Sequence, residues 1–156
     1  MKIISSSEQE TYLIGKEFAK KLTSGEILGL IGDLGAGKTI FTKGLAAGLG
    51  IRKTLTSPTF VLMKVYPVKS FRSSERNSAE SGVISRGKPQ IKLLAHLDAY
   101  RIKSAEDLVA IGMNEYANRP DTVTVIEWAD KIKTILPKKT RFITIGYKNE
   151  SRTIEY

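Results

Sequence analysis

One segment of the chain combines glycines, a lysine and a hydroxyl residue in a spacing suited to binding phosphate. It reads Gly32-Asp33-Leu34-Gly35-Ala36-Gly37-Lys38-Thr39, which is Gly, four residues, Gly, Lys and Thr. The glycines let the backbone turn tightly, so that successive N–H groups can face an anion. The Lys38 ammonium can reach the β- and γ-phosphates of a nucleotide, and the Thr39 hydroxyl can ligate Mg²⁺. The segment therefore predicts a nucleotide-phosphate site.

Two carboxylates follow apolar segments further along the chain. Asp98 follows His96-Leu97, and Glu127 follows Val125-Ile126. Open α/β sheets place ligands at the carboxyl ends of their strands, so either residue could be the acid that holds Mg²⁺. The spacing alone leaves that choice open. The single histidine, His96, is expected on the same face of its strand as Asp98, and a structural role is favoured over proton transfer.

The predicted elements place a strand and a helix on either side of the glycine-rich segment. Ser7 is expected to cap a first helix whose apolar residues recur at helical spacing up to Leu22. The apolar run Ile27–Ile31 predicts a strand covered on both faces, and a second helix is predicted from Lys38 to Leu49. A strand, then the loop, then a helix is the context in which this motif binds phosphate.

The remainder of the chain predicts further strands. They are Phe60 to Tyr66, residues 91–97 ending at Asp98, Val123–Ile126 ending at Glu127, and a closing hairpin of Phe142–Tyr147 with Thr153–Tyr156. Ser104 is expected to cap a short helix before the third of these. We therefore predict an α/β, three-layer P-loop fold. Its central, mostly parallel sheet is flanked by helices, with antiparallel strands at the edge.

Residues 1–156 are expected to form a single domain with a flexible basic insertion at about residues 69–89. Residues 64–92 hold seven basic and two acidic residues, which is five of the formal net charge of +9. Such charge suits an anionic partner, nucleotide or RNA, but it is equally typical of a solvated surface. Both interpretations of the insertion stay open: a passive loop, or a contact with RNA phosphates.

Composition excludes several classes of protein. Cysteine is absent, which excludes disulfides, thiolate metal sites and a cysteine nucleophile and fits a reducing cytoplasm. No run has the length of a membrane span, and the first residues lack the apolar stretch of a signal peptide. We expect a cytoplasmic protein with no membrane partner.

The phosphate motif alone allows more than one function. A Ras-type GTPase would carry Asn-Lys-x-Asp, and this sequence has no such segment. A small P-loop kinase acting on a small molecule or a protein stays open, because the insertion is basic. So does a non-catalytic RNA-binding module that uses ATP as a ligand.

In combination the motifs resemble one family, TsaE (also called YjeE), the small ATPase of bacterial tRNA N6-threonylcarbamoyladenosine synthesis. The resemblance lies in Gly32–Thr39, Ser57-Pro58-Thr59-Phe60, His96-Leu97-Asp98-Ala99-Tyr100-Arg101, Ile126-Glu127-Trp128 and Gly112 with Glu115-Tyr116. These motifs occur in the family's order and cover nearly the whole chain. The basic insertion departs from the family pattern, which has a short hairpin between the corresponding strands.

The resemblance implies a Mg²⁺-dependent ATPase that works with the proteins TsaB and TsaD. TsaD attaches threonylcarbamate to adenosine 37 of tRNAs that read codons beginning with A, and ATP hydrolysis by TsaE resets the TsaD–TsaB assembly. Contact with tRNA would then be indirect, apart from any contact through the insertion. A low rate of hydrolysis is expected without the partners.

The resemblance also implies roles for particular residues. Lys38 and Asp98 are the expected catalytic residues, and Thr39 with Glu127 is expected to hold Mg²⁺. Asp98 would orient water or couple hydrolysis to the partner, and Thr59 would sense the γ-phosphate. The expected nucleotide contacts are Asp33, Leu34, Gly35, Ala36, Gly37, Lys38, Thr39, Ile40 and Thr59, together with Glu8 and Thr11 near the adenine.

Overall fold

The computed structural model describes residues 1–68 and 90–156. The predicted basic insertion at 69–89 lies outside these residues and stays a prediction. Within the described ranges, no helix has the length and apolar character needed to cross a membrane.

The described chain folds into strands and helices that alternate around one sheet. The strands are β1 (Lys2–Ser5), β2 (Ile27–Ile31), β3 (Met63–Pro67), β4 (Leu93–Asp98), β5 (Thr122–Glu127), β6 (Arg141–Lys148) and β7 (Ser151–Glu155). The α-helices are α1 (Glu8–Phe18), α2 (Lys38–Gly48), α3 (Ala105–Ala110) and α4 (Met113–Ala117), and short 3₁₀ helices span Ala19–Lys21 and Ala129–Ile132.

The sheet has the order β1-β7-β6-β2-β5-β4-β3. Its centre is parallel, since β2 pairs with both β5 and β6 and β5 pairs with β4. The edges are antiparallel, formed by β3 against β4 on one side and by β7 with β1 on the other. The register of β4 and β5 sets Asp98 directly beside Glu127, so both carboxylates lie at the carboxyl edge of the sheet.

Apolar side chains alternate between the two faces of the sheet and form a core on each. On one face Leu28 and Leu30 of β2 pack with Phe18, Phe41 and Leu45 of α1 and α2. On the other, the neighbouring residue Ile27 packs in a second cluster that includes Leu108, Met113 and Ile132. Helices therefore cover both faces, and the predicted three-layer α/β fold is confirmed.

The strand predicted from Phe60 begins later in the structure, at Met63. The Pro58 carbonyl accepts hydrogen bonds from the backbone N–H groups of Val61 and Leu62, and Leu62 has a φ of 64°. These contacts form a turn that a strand could not contain. Phe60 is consequently 86% exposed, and the prediction for this boundary is wrong.

The structure confirms the predicted C-terminal hairpin and adds a strand, β1, that the sequence pattern did not predict. The hairpin turns at Asn149 and Glu150, whose φ angles of 50° and 60° suit a two-residue turn between twisted strands. β1 pairs with β7 from Lys2 opposite Glu155. It spans four residues, which is too short for a clear alternating pattern.

Helices α1 and α2 approach each other so closely that three glycines at their interface, one in α1 and two in α2, leave no room for a Cβ atom. A Cβ atom on Gly44 of α2 would lie 1.9 Å from the main-chain oxygen of Tyr12 in α1. At the start of α1, the Ser7 hydroxyl accepts the N–H of Glu10 at 3.1 Å, as the predicted cap requires. The close packing fixes the first turn of α1 relative to the helix that carries Lys38.

We expect Gly44→Ala to destabilise the fold by about 1–3 kcal/mol, because the new methyl group meets a main-chain carbonyl that moves only with its helix. Helix propensity alone would favour alanine by about 1 kcal/mol, so a net loss means that the clash dominates. Urea unfolding followed by circular dichroism measures the difference.

Gly146→Ala is the matched control, since a Cβ there meets no atom within 4 Å. It should leave the free energy of unfolding unchanged or slightly raised. Equal midpoints for the two variants would contradict the close packing of α1 on α2.

Candidate functional site

The glycine-rich loop connects β2 to α2 at the carboxyl edge of the sheet. Gly37 is the N-cap of α2 and has a φ of 107°, a conformation that side chains rarely adopt. A Cβ on Gly37 would also lie 3.0 Å from the Nε atom of Arg152. Because α2 begins directly after Gly37, its free N–H groups and its positive dipole end face the loop. This arrangement suits a bound phosphate.

An open cavity of about 270 Å³ lies over this loop. Both carboxylates and most of the predicted loop residues line it. The lining residues are Glu8, Leu34, Gly35, Gly37, Lys38, Thr39, Ile40, Ser57, Thr59, Asp98, Glu127 and Trp128. The fold thus brings residues from α1, the loop, the segment before β3 and the ends of β4 and β5 into one site.

Lys38 folds back over the loop that precedes it. Its ammonium donates to the main-chain oxygens of Gly32 at 2.6 Å and Asp33 at 2.8 Å. The residue is 5% exposed. Burial lowers the pKa of the Lys38 ammonium, and nearby carboxylates, Glu127 foremost, act in the opposite direction. The buried Lys38 ammonium is therefore paired with two carbonyls of the loop.

Trp128 covers the Lys38 ammonium at the end of β5. Its backbone is in the left-handed region, with a φ of 61°, which turns the chain out of the strand. The Lys38 Nζ atom lies 3.6 Å from the centroid of a Trp128 ring, a cation–π contact. The Tyr100 ring packs against the indole with centroids 5.1 Å apart and ring planes tilted by 59°, and the Lys131 Nζ atom lies 4.5 Å from the Tyr100 ring centroid.

Glu127 is buried, and each of its carboxylate oxygens has a partner. The Thr39 hydroxyl donates to Oε2 at 2.9 Å, and His96 Nε2 contacts Oε1 at 2.7 Å. Glu127 is 3% exposed and His96 is fully buried. An unpaired carboxylate at this depth would be costly, so the histidine and threonine together hold it at the loop.

Asp98 is also held through both oxygens. The Thr59 hydroxyl donates to Oδ2 at 2.6 Å, and the Tyr100 backbone N–H donates to Oδ1 at 2.8 Å. The Ser57 and Thr59 hydroxyls lie 2.7 Å apart. The segment before β3 is therefore tied directly to the end of β4.

The structure confirms that His96 and Asp98 lie on one face of β4. His96 Nδ1 has no hydrogen-bond partner among the described residues. The Nε2 contact with Glu127 accounts for a positioning role, which agrees with the structural role that the sequence favoured.

Most of the predicted nucleotide contacts line the cavity, and three do not. Ala36 is fully buried, and Asp33 contributes a main-chain oxygen to Lys38. The Thr11 hydroxyl is engaged with Ser5 at 2.8 Å and with the Ser7 carbonyl at 3.1 Å. The assignment of these three residues as nucleotide contacts stays a prediction.

Sequence reasoning missed Arg152, which packs behind the loop. It is 8% exposed, and its Nη2 atom lies 3.8 Å from the Glu8 carboxylate across the edge of the cavity. Its guanidinium carbon lies 5.0 Å from the Tyr147 ring centroid. No motif marks an arginine on a C-terminal strand as a neighbour of Gly37, so only the fold reveals the contact.

The donor set at the loop suits Mg²⁺ bound together with a nucleotide. Among residues 1–68 and 90–156 no group of three or more acidic, histidine or cysteine side chains could hold a metal by itself. Nucleotide-bound Mg²⁺ does not require one, because phosphate oxygens and waters supply most of its ligands beside one or two protein oxygens. The Thr39 hydroxyl and the Glu127 carboxylate, 2.9 Å apart, fit that role.

The loop between β2 and α2, the parallel strand order and the carboxylates beside it define a P-loop nucleotide-binding fold. The solved structure of YdiB from Bacillus subtilis is similar, with a TM-score of 0.68 and 33% sequence identity over 99% of this chain and 82% of that one. The likeness extends over nearly all of the chain.

Sequence comparisons agree with this structural similarity. The family model "Threonylcarbamoyl adenosine biosynthesis protein TsaE" matches residues 5–154. The tRNA threonylcarbamoyladenosine biosynthesis protein TsaE of Treponema pallidum is 37% identical over 93% of this chain and 90% of its own length. That of Bacillus subtilis is 38% identical over 88% of this chain and 72% of its own. The chain therefore belongs to the TsaE family, as its motifs predicted.

His96→Phe should lower the free energy of unfolding by about 1–3 kcal/mol, because it leaves the buried Glu127 oxygen without a donor. His96→Gln, which keeps an amide donor at a similar reach, should lose less. Chemical denaturation of both variants measures the difference. If both unfold at the wild-type midpoint, His96 does not hold Glu127.

Proposed function

We propose that this chain is an ATP-binding and ATP-hydrolysing accessory protein of tRNA threonylcarbamoyladenosine synthesis. It acts on the TsaD–TsaB complex in the cytoplasm and is needed for modification of adenosine 37 in tRNAs that read codons beginning with A. The observation that carries the proposal is the pair of buried carboxylates, Asp98 and Glu127, set side by side against the phosphate loop.

The loop and Lys38 bind the phosphates in this proposal. On nucleotide binding the Lys38 ammonium exchanges the Gly32 and Asp33 carbonyls for phosphate oxygens, which are stronger acceptors because they are charged. The exchange also alters its contact with Trp128. Leu34, Gly35, Gly37 and Ile40 form the wall of the phosphate site, and Glu8 faces the nucleoside end.

Thr39 and Glu127 are the residues that would hold Mg²⁺, which neutralises charge on the β- and γ-phosphates when bound. Asp98 lies in the adjacent position and accepts the Thr59 hydroxyl. From there it can orient water toward the terminal phosphate. Thr59 is then placed to respond to the γ-phosphate and to pass that response to the exposed Phe60 and Val61.

We expect Lys38→Ala to weaken ATP binding about 10- to 150-fold, since it removes a charge-assisted bond of about 1.5–3 kcal/mol. Asp98→Ala should leave ATP affinity little changed and lower kcat by about 10²- to 10⁴-fold. Fluorescent-nucleotide titration and a phosphate-release assay separate the two effects. An equal loss of affinity in both variants would place Asp98 among the Mg²⁺ ligands instead.

The partner assignment is tested with purified TsaB, TsaD and tRNA under multiple-turnover conditions. We expect tRNA modification to continue beyond the first round only when this chain and ATP are present. With the Asp98→Ala variant, modification should end after the first round. The absence of both binding to TsaB–TsaD and any effect on turnover would refute the role. Transfer of labelled γ-phosphate to an acceptor other than water would support the alternative, a small P-loop kinase.

A further inference from the structure

A second cavity, of about 430 Å³, lies between β3 and the segment that precedes it, and it shares no lining residue with the first. We call it the basic cavity. It is lined by Lys53, Thr54, Thr56, Lys64, Val65 and Tyr66. The lining contains two ammonium groups and three hydroxyls but no carboxylate, a donor set that suits an anion.

Among residues 1–68 and 90–156, no aspartate or glutamate lines the basic cavity. No aspartate or glutamate occurs between Asp33 and Glu75. The strand that carries Lys64 pairs with β4, where the residues opposite Lys64, Val65 and Tyr66 are a histidine, an alanine and a leucine. The positive electrostatic potential of the two lysines is therefore not neutralised by these neighbouring residues.

Lys64 links the basic cavity to the nucleotide site. Its ammonium donates to the Thr56 hydroxyl at 2.6 Å and to the Ser57 carbonyl at 3.4 Å. The Ser57 hydroxyl contacts that of Thr59, which donates to Asp98. A continuous series of polar contacts thus runs from the basic cavity to a carboxylate beside the phosphate loop.

We propose that the basic cavity binds phosphodiester groups of an RNA backbone, and that Lys64 communicates this binding to Asp98. A phosphate oxygen competes with Thr56 and the Ser57 carbonyl for the Lys64 ammonium, which loosens the segment that positions Thr59. Tyr66 is 3% exposed and offers no surface for a base to stack on, which favours backbone contacts over nucleoside recognition. The choice of RNA rests on the proposed role in tRNA modification.

Fluorescence anisotropy with a labelled RNA hairpin tests binding without ATP hydrolysis, so failure here is distinct from failure of the proposed ATPase. The K53A/K64A double variant should bind about tenfold or more weakly, and the slope of log K against log salt should fall by about one per lysine. K138A/K148A is the matched control, since both residues are exposed and the net charge changes equally. It should keep the wild-type slope.

Equal losses in the two double variants would show general attraction to a basic protein and overturn the proposal. So would unchanged binding in K53A/K64A, which would assign RNA contact to other residues. Displacement of the hairpin by inorganic phosphate at equal phosphate concentration would identify a site for free phosphate rather than RNA. K53A alone breaks no hydrogen bond to the 56–59 segment, so its weaker RNA binding is independent of any folding effect of K64A.

The communication step is tested at saturating RNA. We expect RNA to change ATP affinity or the hydrolysis rate by about fivefold or more in the wild type and in K53A, and to have no effect in K64A. An equal RNA effect in K64A, or none in the wild type, would overturn the role of Lys64.

Discussion

The pairing of β5 between β2 and β4 is the constraint on which the rest of the site depends. It places Glu127 at the end of β5, with the phosphate loop after β2 on one side and Asp98 at the end of β4 on the other. Both carboxylates are almost completely buried. Each must therefore find hydrogen-bond donors within the protein, and one donor to each is a hydroxyl of a predicted nucleotide contact. The Thr39 hydroxyl bonds to Glu127, and the Thr59 hydroxyl bonds to Asp98.

These contacts connect nucleotide binding with the conformation of the phosphate loop and of the segment before β3. Lys38 rests on loop carbonyls and beneath Trp128, while Thr59 holds the segment before β3 against Asp98. A nucleotide that recruits Lys38 and the two hydroxyls has to compete with these contacts. Phe60, which follows Thr59 in the chain, and Tyr100, which contacts Trp128, are exposed large hydrophobic side chains. Under the proposed function, changes at the phosphates would therefore alter the surface offered to a partner protein.

Local patterns predicted most of the fold and the centre of the site. The phosphate loop, the two carboxylates and the strands before them are marked by short segments whose chemistry is independent of the rest of the chain. Features that depend on tertiary packing were not predictable in that way. Arg152 reaches Gly37 only because β7 returns beside the loop, and the left-handed turn at Trp128 sets the indole over Lys38. The predicted start of a strand at Phe60 is wrong because Pro58 begins a turn instead of preceding a strand.

A crystal structure with Mg²⁺ and a non-hydrolysable ATP analogue would show how Glu127 and Asp98 divide their roles. We predict that the ion lies at Thr39 and Glu127, that Lys38 leaves the loop carbonyls for the phosphates, and that Asp98 faces the γ-phosphate without contacting the ion. An ion ligated by Asp98, with Glu127 still held between His96 and Thr39, would contradict it.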